Sequence, residues 1–290
     1  MMSPRITRDT KVILQGISGR AGRLHSRLMR EYGTNLVAGV SPQKDIKEIN
    51  GIPLFPDCAS AIKAAGATVS VVLVGAYGLL DAMREAVAAG IKMIVTPTEG
   101  MPVHDALKAK RLTQEAGVLW IGGSTPGMAV AGVAKLGFLP DVSLKTGPLG
   151  LMSKSGTLSY EAGFRLVQRE VGTSVWVGVG GDPIKGARYS DLVPFYAQDE
   201  QTRALLIIGE IGGRDEEDFA EALKTQAFAK PVFALIAGRT APEGVAMGHA
   251  GALTYGSHGS YAAKRTALEA AGVTVFSSLN EMVAGLSHLR

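Results

Sequence analysis

Short apolar runs recur along the chain, each closed by small residues and followed by a stretch with apolar positions three or four apart. Lys11-Val12-Ile13-Leu14-Gln15, Asn35-Leu36-Val37-Ala38-Gly39-Val40, Val69-Ser70-Val71-Val72-Leu73-Val74, Lys92-Met93-Ile94-Val95-Thr96 and Val118-Leu119-Trp120-Ile121 read as strands. Helical spacing fills the residues up to Tyr32, then 79–89 and 103–116. The period is lost after residue 122 and returns near 147. Strands then fall at 148–152, 175–179, 204–208, 231–236 and 274–276, with helices at 158–171, 189–197, 215–226, 262–271 and 279–286. Strands alternating with helices predict parallel sheets covered on both faces. The pattern divides the chain into a first α/β domain, 1–123, a connection, 124–146, and a second α/β domain, 147–290.

Composition narrows the class. With 290 residues and 46% apolar content, two globular domains are expected. The 37 glycines cluster at the ends of apolar runs, which marks tight turns rather than low complexity. A net charge of +4 carried by scattered Lys and Arg, without a basic block, argues against nucleic acid. The single cysteine, Cys58, has no internal disulfide partner and reads as a helix-start or core thiol. No Cys/His cluster has metal spacing. No apolar run approaches a membrane span and the N-terminal residues carry no apolar signal region, so a cytoplasmic protein is expected.

Ligands of open parallel sheets sit beyond the carboxyl ends of the strands. In the first domain that edge collects Gly16-Ile17-Ser18-Gly19-Arg20-Ala21-Gly22, Ser41 to Lys44, Gly75 to Gly78 and Pro97 to Gly100. A glycine turn leading into a helix start offers free N–H groups and the positive dipole end to an anion. The spacing is G-x-x-G-x-x-G rather than G-x-G-x-x-G. Lys44 stands where a dinucleotide site carries Asp or Glu, which favours a ligand with a ribose phosphate, such as coenzyme A or NADP. In the second domain the edge collects Ser153 to Thr157, Gly180 to Gly186, Gly209 to Gly213 and the loop around His249.

His249 lies in Met247-Gly248-His249-Ala250-Gly251-Ala252, between glycines that leave room for backbone N–H groups. Such a histidine suits a covalent phosphoryl carrier. Glu210 is its candidate partner, a carboxylate that would hold one ring nitrogen and free the other. Ser155, Gly156 and Thr157 open a helix and read as a phosphate cradle or as a plain cap. His25 and His104 lie in or near helices of the first domain, His258 in the last loop and His288 at the end of the chain, and all four read as structural or solvated.

The runs Gln15-Gly16-Ile17-Ser18-Gly19, Thr98-Glu99-Gly100, Ser155-Gly156-Thr157-Leu158-Ser159-Tyr160-Glu161-Ala162, Val177-Gly178-Val179-Gly180-Gly181-Asp182-Pro183-Ile184, Ile208-Gly209-Glu210-Ile211-Gly212-Gly213 and Met247-Gly248-His249-Ala250-Gly251-Ala252 resemble the alpha subunits of succinyl-CoA synthetases. Order and spacing match over nearly the whole chain. The resemblance implies a Rossmann-like CoA-binding domain followed by a flavodoxin-like ligase domain. It implies a phosphohistidine at His249 held by Glu210, with Ser155, Gly156 and Thr157 receiving the phosphate and Tyr160 beside the acid substrate. Ser18, Gly19, Arg20, Ala21, Lys44, Pro97, Thr98 and Glu99 match its CoA-binding positions.

The chain has no G-x-x-x-x-G-K-[ST] loop. The resemblance accounts for this through a beta subunit of ATP-grasp fold that holds ATP or GTP with Mg²⁺, in an αβ or α2β2 assembly. The implied reaction is the reversible formation of an acyl-CoA thioester through an acyl phosphate. The chain departs from the family pattern at 74–78, at 122–127, at 139–143 and at Asp45 after the CoA lysine. The departures at 122–127 and 139–143 leave the acid open between succinate and another short carboxylic acid, malate-like or sulfonated, while Asp45 bears on the CoA phosphate contact through its charge. A non-catalytic CoA- or nucleotide-binding regulatory protein and an NADP-linked oxidoreductase stand as alternatives of other classes.

Overall fold

The computed structural model describes residues 3–43, 45–245 and 247–289. The chain divides into two compact units. One runs to Leu139 and takes in Ile184–Gly186; the other comprises Pro140–Pro183 and the residues from Ala187 onward.

The first unit contains β1 (Val12–Gln15), α1 (Arg20–Tyr32), β2 (Leu36–Val40), β3 (Glu48–Ile49), β4 (Ile52–Phe55), α2 (Cys58–Ala65) and β5 (Val69–Val72). It continues with α3 (Leu79–Ala88), β6 (Met93–Thr96), α4 (Val103–Glu115), β7 (Leu119–Gly122), β8 (Gly127–Val130) and β9 (Ala134–Gly137). Its main sheet has the order β3-β4-β2-β1-β5-β6-β7, parallel except for the short β3–β4 pair. The chain builds outward from β1 on one side, then crosses back to lay β5 on the other. Gln15 therefore pairs with both Val40 and Val72. That reversal beside β1 is the switch point where such sheets bind ligands. Every residue of β1, β5, β6 and β7 is buried, which is why these strands read as apolar runs rather than alternations.

Two regions carry elements that the pattern does not announce. β3 and β4 span two and four residues, too short for a period to register. α2 follows them, its first residue the buried Cys58, its cap Asp57 accepting from the Ser60 N–H at 2.7 Å. In the stretch expected as a connection, β8 and β9 form an antiparallel hairpin. Both strands are buried throughout, so they lack polar alternation.

The second unit contains β10 (Thr146–Ser153), α5 (Gly156–Gln168), β11 (Thr173–Gly178), α6 (Tyr189–Gln198), β12 (Ala204–Glu210), α7 (Asp215–Thr225), β13 (Val232–Ala237), α8 (Tyr261–Glu269), β14 (Thr274–Phe276) and α9 (Leu279–Leu286). Its strands run parallel in the order β14-β13-β12-β10-β11. Leu205, Leu206, Ile207 and Ile208 of β12 are wholly buried, each worth roughly 1.5–3 kcal/mol against exposure. Tyr196 fills the core from α6 and donates its hydroxyl to the Val175 carbonyl at 3.1 Å. Ser153 is in register with Gly178 on one side and Ile208 on the other, and Gly209 with Ile236. The carboxyl ends of β10, β11, β12 and β13 thus share one edge, as the alternating pattern predicts.

Candidate active site

In the first unit the turn after β1 is built by close backbone packing. The N–H of Gly16 donates to the Val40 carbonyl at 3.1 Å, which closes the turn over the end of β2. A Cβ at Gly22 would come within 2.3 Å of the Gly16 carbonyl oxygen and 2.6 Å of the Ile17 Cα. Only glycine lets α1 rise this close to the turn. Gly19 caps α1 without a side-chain hydrogen bond, and the first turn holds no acidic residue. Gly19, Arg20 and Ala21 are exposed there. Ser18 sits partly buried, its hydroxyl accepting from the Ser41 hydroxyl at 2.9 Å across the ends of β1 and β2. At the end of β6, Pro97 is buried and Glu99 exposed. Thr98 donates its hydroxyl to the Val74 carbonyl at 2.8 Å, tying this turn to the end of β5. These residues share the carboxyl edge at the switch point. A bare helix start with no acid in its first turn fits an anionic, phosphorylated ligand. Lys44 lies outside the described residues.

In the second unit, His249 Nδ1 stands 2.7 Å from Glu210 Oε2. Glu210 is the last residue of β12 and is 8% exposed, so its carboxylate is offered from a rigid strand end. The histidine loop folds on itself: the Met247 N–H donates to the Ala252 carbonyl, and the Ala252 N–H to the His249 carbonyl, each at 3.0 Å. The loop also presses on the turn after β12. A Cβ at Gly212, whose φ is +86°, would lie 1.9 Å from the Gly251 carbonyl oxygen. With Nδ1 engaged by the carboxylate, Nε2 is the nitrogen left for chemistry. A tethered imidazole with one ring nitrogen oriented by a carboxylate is suited to nucleophilic chemistry at the other.

Ser155 caps α5, its hydroxyl accepting from the Leu158 N–H at 3.2 Å. The cap uses one N–H of the first turn; those of Gly156 and Thr157 have no intrahelical acceptor. Thr157 is exposed. Tyr160 follows on the same helix, partly buried, and burial pushes its phenol up to about 12. It is therefore a neutral donor at any working pH. The α5 start, the Gly180–Gly181 turn, Glu210 and His249 are brought to the one carboxyl edge.

Two features of the site escape the sequence. Gly181 is one: a Cβ there would fall 2.6 Å from His249 Nδ1 and 2.7 Å from Cε1. The glycine pair was visible, but nothing in the sequence says that a ring lies over it. The other is a buried ion cluster under Glu210. Glu216, wholly buried on α7, accepts from the Glu210 N–H at 3.2 Å and pairs with Lys154 at 3.0 Å and with Lys264. α7 opens on Asp215, Glu216, Glu217 and Asp218, a run that suits the positive end of the helix dipole and hides that one of its carboxylates faces inward. Among the described residues, no group of His, Cys, Asp and Glu is arranged to hold a metal ion. No helix among them is long and apolar enough to cross a membrane.

Residues 7–100 match the family model of the CoA binding domain, and residues 152–274 that of the CoA-ligase domain. The ADP-forming succinate–CoA ligase alpha subunit of Aquifex aeolicus is 44% identical over 276 residues, covering 94% of this chain and 90% of that protein. A subunit of the ADP-forming sulfoacetate–CoA ligase of Bilophila wadsworthia is 40% identical over 291 residues, covering 99% of each. Among solved structures, ATP citrate lyase from Methanothrix soehngenii, in complex with citrate and coenzyme A, superposes with a TM-score of 0.87 at 22% identity, covering 98% of this chain. The chain spans 50% of that polypeptide, and the likeness at this identity is one of fold.

Proposed function

The chain belongs to the succinate–CoA ligase alpha-subunit family, a family of ligases with a CoA-binding domain followed by a CoA-ligase domain, and on that premise we propose that it carries a phosphoryl group on His249 during acyl-CoA formation. The hydrogen bond between His249 Nδ1 and Glu210 carries the reading. It supports the Nδ1–H tautomer, whose Nε2 attacks the γ-phosphorus of ATP or GTP, breaking the bond to the nucleoside diphosphate. The nucleotide and its Mg²⁺ belong to a beta subunit of ATP-grasp fold, in an αβ or α2β2 assembly.

A carboxylate oxygen of the acid then attacks the phosphorus, breaking the N–P bond and forming an acyl phosphate. Glu210 holds the proton on Nδ1 while Nε2 gains and loses the phosphoryl group. Gly156 and Thr157 offer N–H groups to the phosphoryl oxygens, and Tyr160 lies beside the acid. The thiolate of CoA attacks the acyl carbon, expelling inorganic phosphate. Ser18, Gly19, Arg20, Ala21, Pro97, Thr98 and Glu99 line the CoA edge, with Lys44 assigned to the CoA phosphates by the resemblance alone.

The acid is a short carboxylate. Succinate is the first reading, and a sulfonated acid is the second, favoured by the full-length similarity to the sulfoacetate–CoA ligase subunit. The test is mass spectrometry of the chain co-purified with its beta subunit after incubation with ATP, run at alkaline pH to preserve the N–P bond. A mass gain of one phosphoryl group on His249, discharged by CoA with one of succinate, malate or sulfoacetate, is expected. An active complex with no phosphate on His249 would refute the proposal.

A further inference from the structure

The cluster beneath Glu210 joins three segments that all meet the site. Glu216 comes from α7 and is wholly buried. Its Oε1 accepts the N–H of Glu210 and pairs with Lys154 Nζ at 3.0 Å. Lys154 is the residue directly before Ser155, the cap of α5. Its ammonium is 5% exposed at the side chain and also meets Asp215 at 3.3 Å. Glu216 Oε2 pairs with Lys264. Lys264 lies in the first turn of α8, where the histidine loop ends, and also donates to the Gly213 carbonyl at 3.1 Å and to Glu217 at 3.1 Å. A Cβ at Gly209 would stand 2.6 Å from Glu216 Oε1, so the carboxylate reaches the strand backbone only because that residue is glycine. The turn from Glu210 to Gly213 is thus gripped at its first N–H by Glu216 and at its last carbonyl by Lys264.

Resting on the phosphohistidine reading of His249, we infer that Glu216, held between Lys154 and Lys264, is a positioning residue that binds the Glu210 platform, the start of α5 and the end of the histidine loop into one charged unit. A mutually paired set of buried charges has one low-energy arrangement, since moving any member leaves another unpaired in a low dielectric. The cradle, the orienting carboxylate and the base of the loop therefore keep their places relative to one another. The unit also sets the charge near the ring. Burial alone would lower the Lys154 ammonium, but Glu216 and Asp215 hold it above its ordinary range, and Glu210 adds to that. Burial would raise the Glu216 carboxyl, but Lys154 and Lys264 hold it below. Both members are charged at neutral pH. The other groups facing the cluster are Tyr189 of α6, whose phenol burial pushes far up, and Arg188, which meets Asp215 at 3.6 Å and Asp218 at 3.9 Å.

The charges of the cluster act on the ring through Glu210, so removing a cation and removing an anion should shift the His249 titration in opposite directions. Lys154→Met removes a positive charge near Glu210, which should raise the titration midpoint of His249. Glu216→Gln removes a negative charge and should lower it. The experiment is an NMR titration of the full chain with isotopically labelled histidine, His249 being assigned with His249→Asn. The expected result is a midpoint raised by about half a pH unit or more in Lys154→Met and lowered in Glu216→Gln. In Lys154→Arg, which keeps the charge, the midpoint should stay near the wild-type value. Unmoved midpoints in the folded variants, or shifts of the same sign, overturn the inference. If Glu216→Gln does not fold, Lys154→Met against Lys154→Arg decides alone: a rise only in the first supports the inference, and equal midpoints overturn it. Phosphate incorporation from ATP is measured separately in the complex. A wild-type chain that takes no phosphate at His249 refutes the phosphohistidine reading, and the titration still decides the network.

Discussion

Gly181→Ala tests how tightly the site fixes the His249 ring. A Cβ at this position would lie 2.6 Å from Nδ1, 2.7 Å from Cε1 and 2.8 Å from Cγ. Ordinary contact begins near ~3.5 Å, so the ring must retreat by about 0.9 Å. The Nδ1–Glu210 hydrogen bond spans 2.7 Å. A displacement of that size takes it beyond the ~3.2 Å at which such bonds end. A hydrogen bond to a charged group contributes about 1.5–3 kcal/mol. At ~1.36 kcal/mol per decade, phosphorylation of His249 should slow about 10- to 150-fold. The backbone at 181 does not occupy the left-handed region, so alanine is conformationally acceptable there and global stability should hold. Rapid-quench measurement of phosphoryl transfer from ATP, in complex with the beta subunit, reads the rate. Nitrogen NMR of the free chain reads the tautomer, which should lose its preference for the Nδ1–H form. A Gly181→Ala protein phosphorylated at the wild-type rate, with that tautomer retained, would show that the ring is not confined by residue 181.

Other expectations follow from the same geometry. Gly22→Ala forces backbone against backbone at Gly16 and should destabilise the first unit by about 1–3 kcal/mol; denaturant unfolding and calorimetric titration with CoA should show lower stability and weaker CoA binding together. Glu216 has its folded pKa below the ordinary 4.5. Its stabilising contribution is complete above that value and drains away as pH falls through the lower folded value. Denaturation midpoints followed from neutral pH into acid should therefore show the gap between wild type and Glu216→Gln narrowing only below about pH 4.5. Lys154 behaves oppositely, since its folded pKa lies above 10.5: its contribution is complete below 10.5 and lost as pH rises beyond it. Cys58 is buried, and that burial, with Glu85 and Asp57 nearby, pushes its thiol up to about 12. A thiol reagent at neutral pH should modify it at the rate of unfolding and not before.

Much of the fold was legible because buried parallel strands and their covering helices leave strong periodic marks. The two α/β units, the paired glycine turns and the carboxyl-edge rule pointed to the first-unit turns and to His249 with Glu210. The elements that went unannounced leave no period, for two different physical reasons. β3 and β4 are shorter than any period, and β8 and β9 are buried on both faces and so carry no alternation. Motif order, read against a known family, implied a role for Tyr160, which no local pattern singles out.

For His249, the order of residues alone showed a glycine-flanked imidazole and, far away along the chain, a carboxylate at a strand end. That these two meet at 2.7 Å was decided by the parallel order of the second sheet, which brings the ends of β10, β11, β12 and β13 to one edge. Tertiary structure alone also decided that Gly181 lies under the ring and that Glu216 turns inward to Lys154 and Lys264. Sequence spacing records what repeats along one element. Contacts between a glycine and a ring, or between a carboxylate and two lysines from other elements, have no period, and only the packing of the chain brings them together.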